Sequence, residues 1–257
     1  MADDNLLRLS VSRAKLFKAC RRAYEFKYME KLIPIKKSDA LETGTQYHEF
    51  IEELNKKGAF DIEYTKPCAM ACAYKKYIYP KLSYKRAEKW LEKDMQTFEL
   101  VGRADGIAED GAIVEHKTTG IDLEEYKYNL QWDEQLAVYM YLTGARKAYY
   151  TICKKPTIRQ KKAESEEEFF DRMVAWYDED TESKITLLEV VLSDDDIARV
   201  IEELSTVAGE ITVAENDKSK LYKNTCNCKA YFTPCEYASI CMNYNPDESY
   251  IGFEKGE

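Results

Sequence analysis

Leu100-Val101-Gly102-Arg103-Ala104-Asp105, the turn Glu109-Asp110-Gly111 and Ile113-Val114-Glu115-His116-Lys117 form the stretch whose reading decides the fold. Side chains alternate across a strand, so Ile113, Glu115 and Lys117 share one face. The Asp-Gly turn predicts a hairpin that brings Asp105 close to that face. Charged residues in strands that otherwise read as buried need a reason. Two carboxylates sharing a site repel unless a divalent cation neutralises them. A lysine beside them can hold an attacking hydroxide or stabilise a developing oxyanion. These are the groups needed to hydrolyse a phosphodiester. An exposed edge hairpin with ordinary surface ion pairs would place the same residue types together.

Upstream, Ala40–Lys57 predicts a helix with the stripe Gly44, Tyr47/His48, Ile51 and Leu54, stopped at Gly58. The first helix is capped by Ser10 or Ser12 and carries Leu16, Phe17, Cys20, Tyr24 and Tyr28 at helical spacing, ending at Pro34. Residues 65–82 read as a weak helix. The period then changes to that of consecutive strands at 85–92, 97–107 and 112–118. Downstream the pattern predicts a helix at 129–143, with Gln131, Gln135 and Tyr139 on one face, and a strand at 148–153. A helix at 165–177, a strand at 186–192 and a helix at 194–214 capped by Ser193 follow. This order predicts an α/β fold in one domain over 1–257, with the two terminal segments wrapped around its sheet.

Composition sets the limits. The 257 residues are 45% hydrophobic, enough for a core and incompatible with a mainly disordered chain. With 10 Gly and 6 Pro, a turn-dense all-β fold is disfavoured. No apolar run suits a transmembrane helix, and MADDNLLRLS lacks a secretory apolar region, so a cytoplasmic protein with no membrane partner is expected. A net charge of −9 argues against nucleic acid, yet residues 1–37 hold ten Lys/Arg against four Asp/Glu, and residues 144–163 hold seven Lys/Arg and no acid. Such strips suit a phosphate backbone, or are simply solvated faces.

The order His48, Gly102-Arg103-Ala104-Asp105, Glu115-His116-Lys117, Gln135…Tyr139 resembles the PD-(D/E)XK nuclease superfamily, and most of all its RecB-like and CRISPR-adaptation-like exonuclease branch, including phage-encoded members. The resemblance covers roughly residues 10–241. It implies a restriction-endonuclease-like core, a mixed β-sheet flanked by helices. It implies that Asp105 and Glu115 ligate Mg²⁺ or Mn²⁺ with the backbone carbonyl of His116, that His48 completes or tunes that site, and that Lys117 positions the nucleophilic water. Gln135 and Tyr139 would contact DNA near the cleaved bond. The implied activity is metal-dependent DNA exonuclease action in replication, recombination or repair, on single strands or free ends, with a helicase or recombination partner. A catalytically silent DNA-binding or scaffold subunit, or a mimic of a CRISPR nuclease, would keep the same fold. The family usually has a larger apolar residue where Ala104 precedes the aspartate.

Eight cysteines are many for a reduced compartment. Four fall at 226–241, and a late cluster reads as a metal or cluster site. Two C-x₂-C knuckles, the usual zinc-ribbon sign, are absent, although structural zinc remains an alternative. The resemblance implies that one early and three late thiolates, Cys20, Cys228, Cys235 and Cys241, hold a [4Fe–4S] cluster joining 1–37 to 222–241. The family's late trio more often reads C-x₂-C-x₅-C; here Phe232 stands two residues before Pro234, so the third ligand is Cys228 or Cys226, with Cys228 favoured. Cys68, Cys72 and Cys153 read as core.

Overall fold

The computed structural model describes residues 6–36, 38–230, 233–245 and 250–256. Residues 1–5, Lys37 at the end of the first basic strip, and Phe232 lie outside them. In chain order the elements are β1 (Leu7–Leu9), α1 (Val11–Ala19), α2 (Arg21–Tyr24) with a π turn at Glu25–Met29, β2 (Leu32–Pro34), α3 (Asp39–Lys57) and α4 (Lys66–Tyr77). Then come β3 (Tyr84–Asp94), β4 (Phe98–Ala108), β5 (Ile113–Thr119), α5 (Leu123–Asn129) with a 3₁₀ turn at Leu130–Trp132, α6 (Gln135–Thr143), β6 (Lys147–Lys154) and α7 (Glu166–Glu179). The chain continues with β7 (Ile185–Val191), α8 (Asp194–Asn216), β8 (Lys229–Ala230), β9 (Thr233–Pro234), α9 (Ala238–Cys241) and β10 (Phe253–Lys255). It divides into two compact units, Ser38–Leu91 with Arg103–Ala198, and Met1–Lys37 with Glu92–Gly102 and Arg199–Glu257.

The first unit is a mixed sheet flanked by helices. β3 and β5 both pair with β4, β5 runs parallel to β6, and β6 is antiparallel to β7. The β4–β5 turn is the Glu109-Asp110-Gly111 turn, with Gly111 at φ 84°, a conformation that glycine adopts without strain. α3 starts where Ser38 accepts the Leu41 amide (3.2 Å) and ends at Gly58, φ 75°. Its buried stripe Tyr47, Phe50, Ile51 and Leu54 packs into one core with α4 and α7. The weak reading of α4 has a physical cause: Cys68, Ala69, Met70, Ala71, Ala73 and Tyr74 are all buried, so the helix has no polar face to give it a period. Leu54 is fully buried at the centre of this core. Leu54→Ala is therefore expected to cost about 2–5 kcal/mol, read as a lower denaturation midpoint with an unchanged slope.

One predicted helix is corrected here. Residues 129–143 do not form one helix, because α6 begins only at Gln135, whose amide is accepted by Asp133 Oδ1 (3.2 Å). Gln131 falls in the preceding 3₁₀ turn, exposed, and does not share a helix face with Gln135 and Tyr139.

In the second unit, β1 pairs in parallel with the first residues of β4, Leu7 opposite Phe98 and Leu9 opposite Leu100. The predicted first helix is broken at Cys20, which is extended at φ −161°, ψ 110°. Its break is held by the tail: the side-chain amides of Asn224 and Asn227 both donate to Ala19 O (3.0 and 2.6 Å). Antiparallel β2 and β10 tie early and late chain together, over a small core of Ala23, Phe26, Leu32, Tyr237 and Ile240. The N-terminal basic strip is partly neutralised within the fold: Arg13 pairs with Glu215 (2.9 Å), Arg21 with Glu210 (2.5 Å) and Arg22 with Glu25 (2.5 Å). No helix among the described residues is long and apolar enough to cross a membrane.

Candidate active site

The β4–β5 ladder is short. Its register pairs Gly106 with Val114 and Ile107 with Ile113. Continued by one step, that register sets Asp105 opposite Glu115. There the Asp105 side chain takes the strand's hydrogen bond: Oδ2 accepts the backbone N–H of His116 (2.8 Å). Its other oxygen, Oδ1, lies 3.4 Å from Nδ1 of His48 on α3. The charged face predicted from alternation is thus real, and it is buried, with Glu115 only 4% exposed.

Glu115 Oε1 accepts from Lys117 Nζ (2.9 Å) and from Gln135 Nε2 (2.9 Å). Lys117 also donates to Gln135 Oε1 (2.7 Å) and faces Asp133 at 3.7 Å. Gln135 Nε2 also donates to Tyr139 OH, and Tyr139 OH donates to Arg103 O, both at 2.7 Å. α6 is thereby latched to β4 two residues before Asp105. The side chains of His48, Asp105, Glu115, Lys117, Gln135 and Tyr139 form one connected network, while His116, expected to act through its backbone carbonyl, gives its amide to Asp105 and turns its ring to Thr151 and Tyr84 on the other face of β5. Sequence reading missed Asp133 and Tyr150. Tyr150 OH donates to Asp133 Oδ2 (2.9 Å), and Lys117 Nζ stands 5.7 Å from the Tyr150 ring centroid. The signal for Asp133 was an Asp just ahead of a helix, a residue type that turns its carboxylate onto the amide two residues on, as it does to Gln135.

The electrostatics follow from burial. Desolvation first, and the Asp105 charge second, push Glu115 up to about 7 against the pull of Lys117. Burial also works to raise Asp105, but the hydrogen bond from His48 and the neighbouring imidazoles outweigh it and bring it down to about 2. Burial lowers His48, and its bond to Asp105 reverses this, so its pKa lies above the usual histidine value. Burial pushes His116 down to about 4, leaving it neutral near neutrality, with Nδ1 hydrogen-bonded to Thr151 Oγ1 (2.6 Å) and Nε2 to Tyr84 OH (3.3 Å). Lys117 stays charged: burial lowers its pKa, but Glu115 and Asp133 raise it above the usual lysine value.

Glu115 Oε2 is buried and accepts no hydrogen bond among the described residues. Leaving a carboxylate oxygen so costs about 1–3 kcal/mol or more. An unpartnered buried oxygen opposite a second carboxylate fits a divalent cation. No three His, Cys, Asp or Glu side chains among the described residues are already gathered around one ion, since Glu115 Oε1 faces Lys117 and Asp105 Oδ1 faces His48. Beside His48 a cavity of about 500 Å³ opens along α3, with Glu49, Glu52, Glu88 and Arg103 on its walls.

The family model of the PD-(D/E)XK nuclease superfamily matches residues 8–242. The chain belongs to that superfamily. The matched span takes in segments of both units. Among solved structures, a Eubacterium rectale protein provisionally named an exonuclease aligns at TM-score 0.53 and 14% identity, over 95% of this chain and 90% of its own. That likeness is one of fold. A phage-related exonuclease from Haemophilus somnus aligns at TM-score 0.43 and 16% identity, over 79% of this chain and 92% of its own. An alkaline exonuclease from Laribacter hongkongensis aligns at TM-score 0.36 and 12% identity, over 83% and 94%. Comparison with curated proteins gave no match to the sequence.

In this superfamily member the cysteines separate into two groups. Cys68 and Cys153 are in the core of the first unit, and Cys72 packs against it. In the second unit Cys20, Cys235 and Cys241 pack against the core shared by β2, α2 and α9. The Cys235 amide donates to Cys228 O (2.9 Å), and Asn224 N–H donates to Cys20 Sγ (3.4 Å). Burial raises Cys235 and Cys241, and the thiols of Cys20 and Cys228 act on both to raise them further. Among the described residues these thiols are not gathered into a preformed metal site. Arg22 and Lys223 act on Cys241 in the opposite sense, favouring its thiolate. Cys226 is exposed.

Proposed function

We propose that this chain is a metal-dependent DNA exonuclease that hydrolyses phosphodiester bonds, with Asp105, Glu115, the His116 carbonyl and His48 holding Mg²⁺ or Mn²⁺. The observation that carries the reading is the buried Glu115 Oε2, without a hydrogen-bond partner among the described residues, on a residue that the strand register sets opposite Asp105, with Lys117 on the same strand face. When bound, the divalent ion supplies charge neutralisation and Lewis acidity at the scissile phosphate. Against the pull of burial, Glu115 and Asp133 raise the Lys117 pKa above the usual lysine value, which favours its charged, hydrogen-bond-donating form. It donates hydrogen bonds to the attacking water and stabilises the charge that develops on it. Gln135 holds Lys117 and Glu115 together, and the Tyr139–Arg103 latch holds Gln135. His116 is neutral and fixed at both ring nitrogens, which keeps its backbone carbonyl in place. Similarity to exonucleases and the free-end substrates that such enzymes use supports the exonuclease form of the reading.

Cys20, Cys228, Cys235 and Cys241 would hold a [4Fe–4S] cluster by their donor chemistry, four soft thiolates, with a backbone N–H on the Cys20 sulfur. Its role is structural, joining the early and late segments of the second unit.

The experiment is digestion of end-labelled DNA in Mn²⁺ or Mg²⁺. Product should release stepwise from an end, stop in EDTA and resume when metal is restored. A chain that binds DNA but cuts nothing in either ion is the silent scaffold instead.

A further inference from the structure

We infer that the cavity beside Cys20 is a subsite for one nucleotide of single-stranded DNA, its base stacked on Tyr222 and its phosphate met by Lys223. The inference rests on the nuclease reading and adds a contact within the second unit. The cavity encloses about 410 Å³, within the range of pockets that take a nucleotide-sized ligand, and Phe17, Lys18, Arg21, Tyr222, Lys223 and Asn224 are among its walls. Tyr222 is 58% exposed, a large aromatic kept in water. It is not loose: its carbonyl accepts the Arg22 amide (3.1 Å), and the Arg21 guanidinium lies 5.4 Å from its ring centroid. Arg21 is itself fixed over the buried Phe17 ring (4.7 Å) and by Glu210 (2.5 Å). The result is a rigid aromatic–guanidinium platform with one side in solvent.

The charge suits a polyanion. Arg21 and Lys223 line the cavity beside one acid, Glu210, which is paired with Arg21, so Lys223 is the cation it offers to a phosphate in a protein of net charge −9. Lys223 Nζ touches the thioether of Met242 (3.1 Å), a weak acceptor that a phosphate oxygen would displace. An acidic peptide would satisfy the cations but give Tyr222 nothing to stack on. Duplex DNA would satisfy the phosphate contacts, but its bases face inward. A single strand offers both a base face and a phosphate.

The test uses the full-length protein in EDTA, which separates binding from hydrolysis, with a fluorescein-labelled oligothymidylate and a blunt duplex as probes. Tyr222→Ala should weaken oligothymidylate binding on the order of tenfold, and Tyr222→Phe should restore it. Duplex affinity should be unchanged by either. Lys223→Ala should weaken single-strand binding and flatten its dependence on log salt by about 0.7. Photocrosslinking to an oligonucleotide carrying 5-iododeoxyuridine should mark the peptide that contains Tyr222. Wild-type affinity in Tyr222→Ala, an equal loss on duplex, or crosslinks only elsewhere would each overturn the subsite. Loss of binding in Tyr222→Ala with no metal-dependent cleavage by the wild type would instead keep the subsite and remove the nuclease reading.

Discussion

Replacing Asp105 or Glu115 by Ala is expected to lower DNA hydrolysis by at least roughly 10³-fold, because each removes several kcal/mol of transition-state stabilisation that passes through the ion. DNA binding should survive or improve, since one negative charge facing the phosphate is gone. The two sites differ in what else they lose. Asp105→Ala strands the His116 amide, which now donates to Oδ2 at 2.8 Å, at a stability cost of about 1–3 kcal/mol. Asp105→Asn keeps an acceptor there. If the assignment is right, the Asn variant melts close to the wild type and is still inactive. Glu115→Ala relieves the desolvation and the repulsion from Asp105 that push this carboxyl up, but it strands the Lys117 and Gln135 donors that Oε1 accepts, so the metal-free protein should lose about 3–5 kcal/mol, and Glu115→Gln, which keeps an acceptor, should lose less. Near wild-type cleavage by Asp105→Asn or Glu115→Ala would remove the active-site assignment. The measurements are single-turnover cleavage and thermal melting on the same preparations.

Replacing Cys20 by Ser is expected to lower stability and activity together, although Cys20 does no chemistry. The thiol sits at the break between α1 and α2, where Asn224 and Asn227 bring the tail to Ala19 and Cys20. A cluster there ties residues about 200 positions apart, so its loss should cost more than about 4 kcal/mol, the range of a lost metal centre. Purified wild type should be brown and carry about four irons per chain. Cys228→Ser, Cys235→Ser and Cys241→Ser should each lose iron, and Cys226→Ser should keep it. About one zinc and no iron would change the identity of the centre and leave the ligand set. Full iron in Cys228→Ser with loss in Cys226→Ser would exchange the third ligand.

What could be read without the fold was local. The β4–β5 turn needs a residue that tolerates positive φ, and Gly111 supplies it. α3 stops at Gly58, and Ser193 caps α8 by accepting the Asp196 amide (3.1 Å), because caps act over three or four residues. Alternation alone placed Glu115 and Lys117 on one face. Where local rules met a tertiary demand they failed. The helical period runs unbroken through Cys20, yet the backbone is extended there because tail asparagines compete for the end of α1. The period from 129 to 143 is likewise interrupted, since Asp133 is extended and its side chain accepts the Gln135 amide at the point where α6 starts.

By itself, then, the chain determined the order of its elements and the chemistry carried by its hairpin, because turns, caps and alternation depend on neighbours in sequence. The tertiary structure alone decided that Glu115 is buried with one oxygen unpartnered. It also decided that Asp133, Gln135 and Tyr150 surround Lys117, and that Cys20 meets the tail. Those facts depend on which strand pairs beside β5 and which helix crosses it. Such contacts join residues far apart in sequence, and packing energy, not local propensity, selects them.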